Sequence, residues 1–219
     1  MLKNIHQDSI LNAFFLSIFA TAGLFYVNLG GSFLSAFVDG LNIQRDAAGF
    51  IVSANKYGAA FGGLLAAIFI KKLVWRKSAY ILILLLISTD IISSQISNAN
   101  LLIFIRFLHG SIGGFLVGIG LSVIARTSFP DKVFGMLMVV QYSFGSIGIF
   151  TVPRLVDAFG YSAVFFVLIT FSIMTLLILP IIPDPEGKKV AVNKSGTLPF
   201  LSLIHISEPT RLGMSSYAV

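Results

Sequence analysis

The 219 residues are 56% hydrophobic and only 11% charged, with a mean hydropathy of +0.93. No water-soluble surface accommodates that composition, so the solvent of this chain is lipid. The absence of cysteine excludes a disulfide framework, a lipidation cysteine and a thiolate metal site. The net charge of +6 is explained by its placement in loops and does not require nucleic acid.

Apolar stretches fall at residues 11–37, 47–70, 79–96, 101–124, 133–153 and 162–182. At 1.5 Å rise per residue each is long enough to cross a hydrocarbon core of roughly 30 Å, which predicts an all-α membrane protein with six spanning helices. Runs such as Ile81-Leu-Ile-Leu-Leu-Leu-Ile87 lack the apolar-polar alternation of an outer-membrane barrel strand. The first stretch is too long for a signal-peptide core, lacks a small-residue cleavage end and is followed by five more. Lys3, Lys71, Lys72, Arg76, Lys77, Arg126, Lys132, Lys188, Lys189 and Lys194 lie on one side of these crossings, against only Arg45 and Arg154 on the other. That bias predicts a multi-pass protein of the cytoplasmic (inner or plasma) membrane with both ends cytoplasmic.

Residues 1–183 therefore form the expected bundle, and the polar residues 184–200 read as a cytoplasmic linker. The run Leu201-Ser-Leu-Ile-His-Ile-Ser-Glu-Pro-Thr-Arg211 resembles the one-frame translation of a transposase-type sequencing-library adapter. Residues 201–219 are accordingly expected to be an artefact, with the natural protein continuing past Phe200.

Arg106 sits in the fourth stretch, about five residues and roughly 8 Å into a helix entered from outside. A guanidinium cannot shed its charge, so at that depth it must face a partner, a water-filled cavity or a substrate. Asp90, in the preceding helix, is at similar depth, so a buried bridge between the two stands beside a role in substrate binding. Lys56 lies near the midplane of the second helix, where snorkelling is hard and a cavity for an anion is the other reading. His109 is one turn from Arg106 and either titrates there or is a satisfied core histidine. Asn28, Asn55, Gln141 and Tyr142 are candidates for substrate hydrogen bonds or for interhelical ones. Gly58 with Gly62, Gly110 with Gly114 and Gly118, and Gly145 with Gly148 place small faces on the second, fourth and fifth helices, where backbones can approach. Carboxylate pairs, a Ser-His-Asp order, His-Glu metal spacings and phosphate loops do not rise above chance, so no enzyme, cofactor or metal is expected.

Arg106-Phe-Leu-His-Gly110 with Gly113-Gly114, Gly145-Ser-Ile-Gly148, Pro153 through Phe166 and Pro130-Asp-Lys-Val-Phe-Gly135 together resemble the fourth-helix, fifth-helix and loop motifs of the major facilitator superfamily. The resemblance covers residues 11–199 and points to that family's N-terminal six-helix half, a 3+3 inverted repeat joined by a cytoplasmic loop to a second bundle missing here. Ala67-Ile-Phe-Ile-Lys-Lys-Leu-Val-Trp-Arg-Lys77 departs from the family's loop between helices two and three, since Lys72 stands at the acid and Trp75 at the second glycine. Lys71, Lys72, Arg76 and Lys77 are then candidates for a cytoplasmic gate toward the second bundle, or serve only topology. The resemblance implies secondary active transport by alternating access. Two intramembrane cations against one acid suggest a proton-coupled carrier of a small organic anion, its partners being the bilayer, the substrate and the second bundle. The alternatives are a proton-driven exporter of a drug-like or neutral metabolite, with Asp90 or His109 carrying the proton, and a non-transporting membrane scaffold.

Overall fold

Ser9 opens the first helix by accepting the amide of Asn12 on its hydroxyl at 3.1 Å, which satisfies one of the donors a helix start leaves unpaired. The computed structural model describes residues 9–185. They belong to one compact unit, Met1–Gly187. The expectations for Lys3, for most of the linker and for residues 201–219 lie outside the described residues.

The first apolar stretch is not one helix. It forms α1 (Ile10–Ala22), α2 (Phe25–Asn28) and α3 (Gly30–Leu41), with interruptions at Gly23-Leu24 and Leu29. Two hydroxyls prepare the first break, because Ser17 donates to the carbonyl of Ala13 and Thr21 to that of Ser17, each at 2.7 Å, and such back-bonding bends helices. Gly23 then rests on the backbone of Gly113, whose carbonyl a Cβ at Gly23 would strike. Leu24 and Leu29 adopt ψ near zero, the sparsely populated bridge conformation of a chain changing direction. Asn42 ends α3 in the left-handed region, a position asparagine tolerates.

The remaining stretches give α4 (Arg45–Phe69), α5 (Trp75–Ser93), α6 (Ala99–Ile124), α7 (Pro130–Phe159) and α8 (Ala163–Ile178). Short 3₁₀ turns extend α4 and α8. Asn98 caps α6 by accepting from the amide of Leu101, and Pro130 begins α7 where its missing N–H costs nothing. No strand occurs among the described residues. Four of the helices, spanning Arg45–Lys72, Ala99–Ile124, Pro130–Phe159 and Ala163–Ile181, are long and apolar enough to cross a membrane. The first stretch falls short as a single helix because of its two breaks. α5 has the length of a span but carries Arg76, Lys77 and Asp90.

The sequence places the end of the fifth stretch at Pro153, yet α7 continues to Phe159. Proline in a helix interior removes a hydrogen bond and crowds the preceding turn. Thr151 donates to the carbonyl of Ile147 and Arg154 to that of Phe150, on either side of the Ile149 carbonyl that loses its usual donor at Pro153. Gly160, at φ 79°, stops the helix in a conformation that disfavours a side chain.

Glycine decides how closely two of the helices pack. A Cβ at Gly58 or Gly62 of α4 would collide with the carbonyls of Phe107 and Ser111 on α6, and one at Gly110 or Gly114 would collide with those of Asn55 and Ala59 on α4. The two backbones are therefore in direct, reciprocal contact, the arrangement small-residue spacing permits in lipid.

Candidate functional site

The close approach of α4 and α6 brings polar groups of α2, α4, α5 and α6 into one buried centre. Arg106 of α6 is 0% exposed and reaches toward α5. Its Nη1 donates to Asp90 Oδ1 at 2.9 Å. Its Nη2 donates to the carbonyl of Thr89 at 3.1 Å and to the hydroxyl of Ser93. The guanidinium carbon also lies 5.6 Å from the ring centre of Tyr26 and 5.2 Å from that of Phe165, within the range of a cation–π attraction. Asp90, Ser93 and Arg106 are all buried. Desolvation of such a pair is costly, and these additional hydrogen bonds offset part of that cost.

His109, one helical turn beyond Arg106, places Nε2 3.3 Å from the same Asp90 oxygen. Its Nδ1 is 2.8 Å from the amide nitrogen of Asn55 on α4. That nitrogen also donates to the carbonyl of Arg106 at 3.2 Å. Asn55, Asp90, Arg106 and His109 are thus one network. Asp90 Oδ2 and Arg106 Nε of this network, and Oη of the neighbouring Tyr26, are buried with no hydrogen-bond partner among the described residues.

The other candidates lie elsewhere. Lys56 follows Asn55, and a helix turns by about 100° per residue, so its side chain leaves the centre and is exposed. A Cβ at Gly30 would sit 4.0 Å from its Nζ, so the ammonium lies over the start of α3. No carboxylate is within ion-pair distance of Lys56 among the described residues. Asn28 of α2 pairs with Gln141 of α7: its Nδ2 donates to the Gln141 backbone carbonyl at 3.3 Å, and Gln141 Nε2 donates to Asn28 Oδ1 at 3.5 Å. Tyr142 is exposed.

Among the gate candidates, Lys71, Lys72 and Lys77 are exposed. Arg76 is committed to the end of α8 within this bundle. It donates to the carbonyls of Leu179, Pro180 and Ile182 and pairs with Asp184 at 3.1 Å. Trp75 Nε1 donates to the same Asp184 oxygen, and the guanidinium lies over the Trp75 ring. A cation on the carbonyls at a helix C-terminus complements both their unpaired acceptors and the helix dipole. Replacing Arg76 with alanine is expected to free those acceptors, and amide hydrogen exchange across residues 179–184 should accelerate. Unchanged exchange there would show that the clamp carries no stability.

Tyr26, Thr89, Ser93 and Phe165 escape a reading of the sequence. Ser93 leaves a weak signal, since it stands three residues after Asp90 and shares its helix face. Thr89 acts through its carbonyl, which side-chain type cannot announce. The hollow of about 480 Å³ between α7 and α8, lined by residues including Phe25, Phe144, Phe166 and Phe171, is separate from this centre. Its Thr151 and Thr170 hydroxyls donate to their own helices, so it offers an apolar surface. Among the described residues no group of three or more His, Cys, Asp or Glu could hold a metal ion. A scan against protein-family models finds no match to this chain, and a search of curated proteins finds none either.

Proposed function

We propose that the chain is one bundle of a secondary active transporter that carries a small organic anion across the cytoplasmic membrane, coupled to protons by alternating access. The carrying observation is Lys56, an exposed ammonium at the middle of a 25-residue apolar helix with no ion-pair partner among the described residues. A cation at that depth calls for an anion. The broken first stretch supports the reading, because transporter sites are commonly built where spanning helices are discontinuous. Here the short α2 carries Tyr26 toward Arg106 and Asn28 toward Gln141. In this reading α1 to α3 together make the first of six crossings, α5 makes the third, and both ends are cytoplasmic.

In this reading the candidates divide the labour. Arg106 has its counter-ion in Asp90, which leaves Lys56, with Asn28, Gln141 and Tyr142 nearer the open faces, to meet substrate. The major facilitator resemblance further implies a second bundle that supplies the opposite wall. Sequencing the genomic gene past the codon for Phe200 is expected to find six further apolar segments, and a natural stop after Val219 would refute this part of the proposal.

Transport is tested with the product of the complete gene in proteoliposomes, using labelled mono- and dicarboxylates under an imposed pH gradient. The Lys56→Met variant is expected to lose at least about tenfold in uptake, in keeping with the roughly 1.5–3 kcal/mol of a charge-assisted hydrogen bond, while Lys56→Arg retains part of it. Full uptake by the methionine variant would remove Lys56 from the site. Export of neutral compounds is the second reading, favoured by the self-neutralising Asp90–Arg106 pair, and would appear as pH-driven efflux indifferent to Lys56.

A further inference from the structure

Asn55 contributes one amide to the centre, and both groups its nitrogen meets constrain their protons. The carbonyl of Arg106, 3.2 Å away, can only accept. It therefore fixes the amide with nitrogen toward α6. An amide nitrogen can only donate, so the His109 nitrogen that faces it at 2.8 Å, Nδ1, must be the bare one. The ring proton then sits on Nε2, directed at Asp90 Oδ1. A second ring proton would place N–H against N–H across the Asn55 contact. Turning the amide over does not relieve this, because its oxygen would then face the Arg106 carbonyl oxygen, two acceptors together.

Asp90 offers the opposite situation. Its Oδ1 can only accept, and it lies 2.9 Å from Arg106 Nη1 and 3.3 Å from His109 Nε2. We infer that Asn55 is a positioning residue that holds His109 as the neutral Nε2–H tautomer, with that proton toward the Asp90 oxygen that Arg106 also meets. The charged or titratable groups facing Asp90 and His109 are Arg106 from α6 and Tyr26 from α2. From α8 the neighbour is Phe165, and from α4 it is Asn55, with Lys56 turned away over α3. This inference is independent of the carrier reading.

The test uses the full chain with labelled histidine in lipid nanodiscs, without substrate or gradient. The sequence has three histidines, and His109 is assigned by the resonance lost in His109→Gln. Imidazole nitrogen shifts are expected to report the neutral Nε2–H tautomer, unchanged from about pH 8 to about pH 5, a window in which a free histidine titrates. In Asn55→Asp, whose carboxylate only accepts, the neutral Nε2–H signal is expected to be replaced by that of the doubly protonated ring. An Nδ1–H or doubly protonated ring in the wild type would overturn the inference, and that measurement needs no variant at Asn55 to fold. If the spectra behave as stated and no substrate moves, the carrier reading fails alone.

Discussion

Replacing Arg106 with methionine is expected to destabilise the bundle by about 3–5 kcal/mol, because Asp90 would remain buried without its counter-ion. The carboxylate is fully enclosed, so water cannot take over for the lost guanidinium. Thr89 and Ser93 would lose a donor as well. Converting both partners, Arg106→Met with Asp90→Leu, removes the uncompensated charge together with the pair. Most of the loss should then return, since replacing a buried ion pair with apolar groups is often neutral or stabilising. Thermal unfolding of the four forms in detergent gives the coupling as a double-mutant cycle. If the double variant is no more stable than Arg106→Met, the pair is not the unit that the geometry describes. The recovered double variant is also the informative one for transport. A protein that folds without the ionic centre and no longer carries substrate would place the function of the Asp90–Arg106 pair beyond support of the fold.

Gly62→Ala is expected to cost about 1–3 kcal/mol by overpacking, and a larger side chain there more. The added Cβ would meet the Ser111 carbonyl and lie 2.9 Å from the amide nitrogen of Phe115. Both are backbone, so relief requires α4 and α6 to move apart, and that would strain the Asn55 bonds to Arg106 and His109 that cross between them. The neighbouring Gly63 is the control, since a Cβ there meets nothing within 4 Å. Gly63→Ala should be neutral or stabilising by up to about 1 kcal/mol, because alanine restricts the unfolded chain and favours helix. Midpoints of thermal unfolding for the two variants provide the comparison. Equal midpoints would show that the α4–α6 contact is looser than described.

Those two glycines mark how far residue order could be read. Spacings of three and four announced small faces on α4 and α6, and these faces do meet, because a period close to one helical turn stacks them on a single side. Gly63 breaks no spacing rule and still faces open space. The helix ends were legible where local chemistry sets them, as at Asn98 and Pro130. Hydropathy could not show the two breaks in the first stretch. Ser17, Thr21 and Gly23 are each tolerated in an apolar helix, and the interruption at Gly23 depends on the backbone of Gly113, ninety residues away in sequence.

Composition alone determined that this chain is helical and at home in lipid, since no other fold of these runs satisfies its backbone away from water. It also marked Arg106 as a charge that had to be answered. Tertiary structure decided what answers it. Asp90 and Arg106 are brought within 2.9 Å, Tyr26 is delivered by a helix too short to foresee, and the amide of Asn55 fixes the proton of a histidine on another helix. Lys56, one residue from Asn55, was turned off that face to lie over the start of α3. Sequence periodicity says which residues share a face, but only packing sets the rotation of each helix and the neighbour toward which that face points.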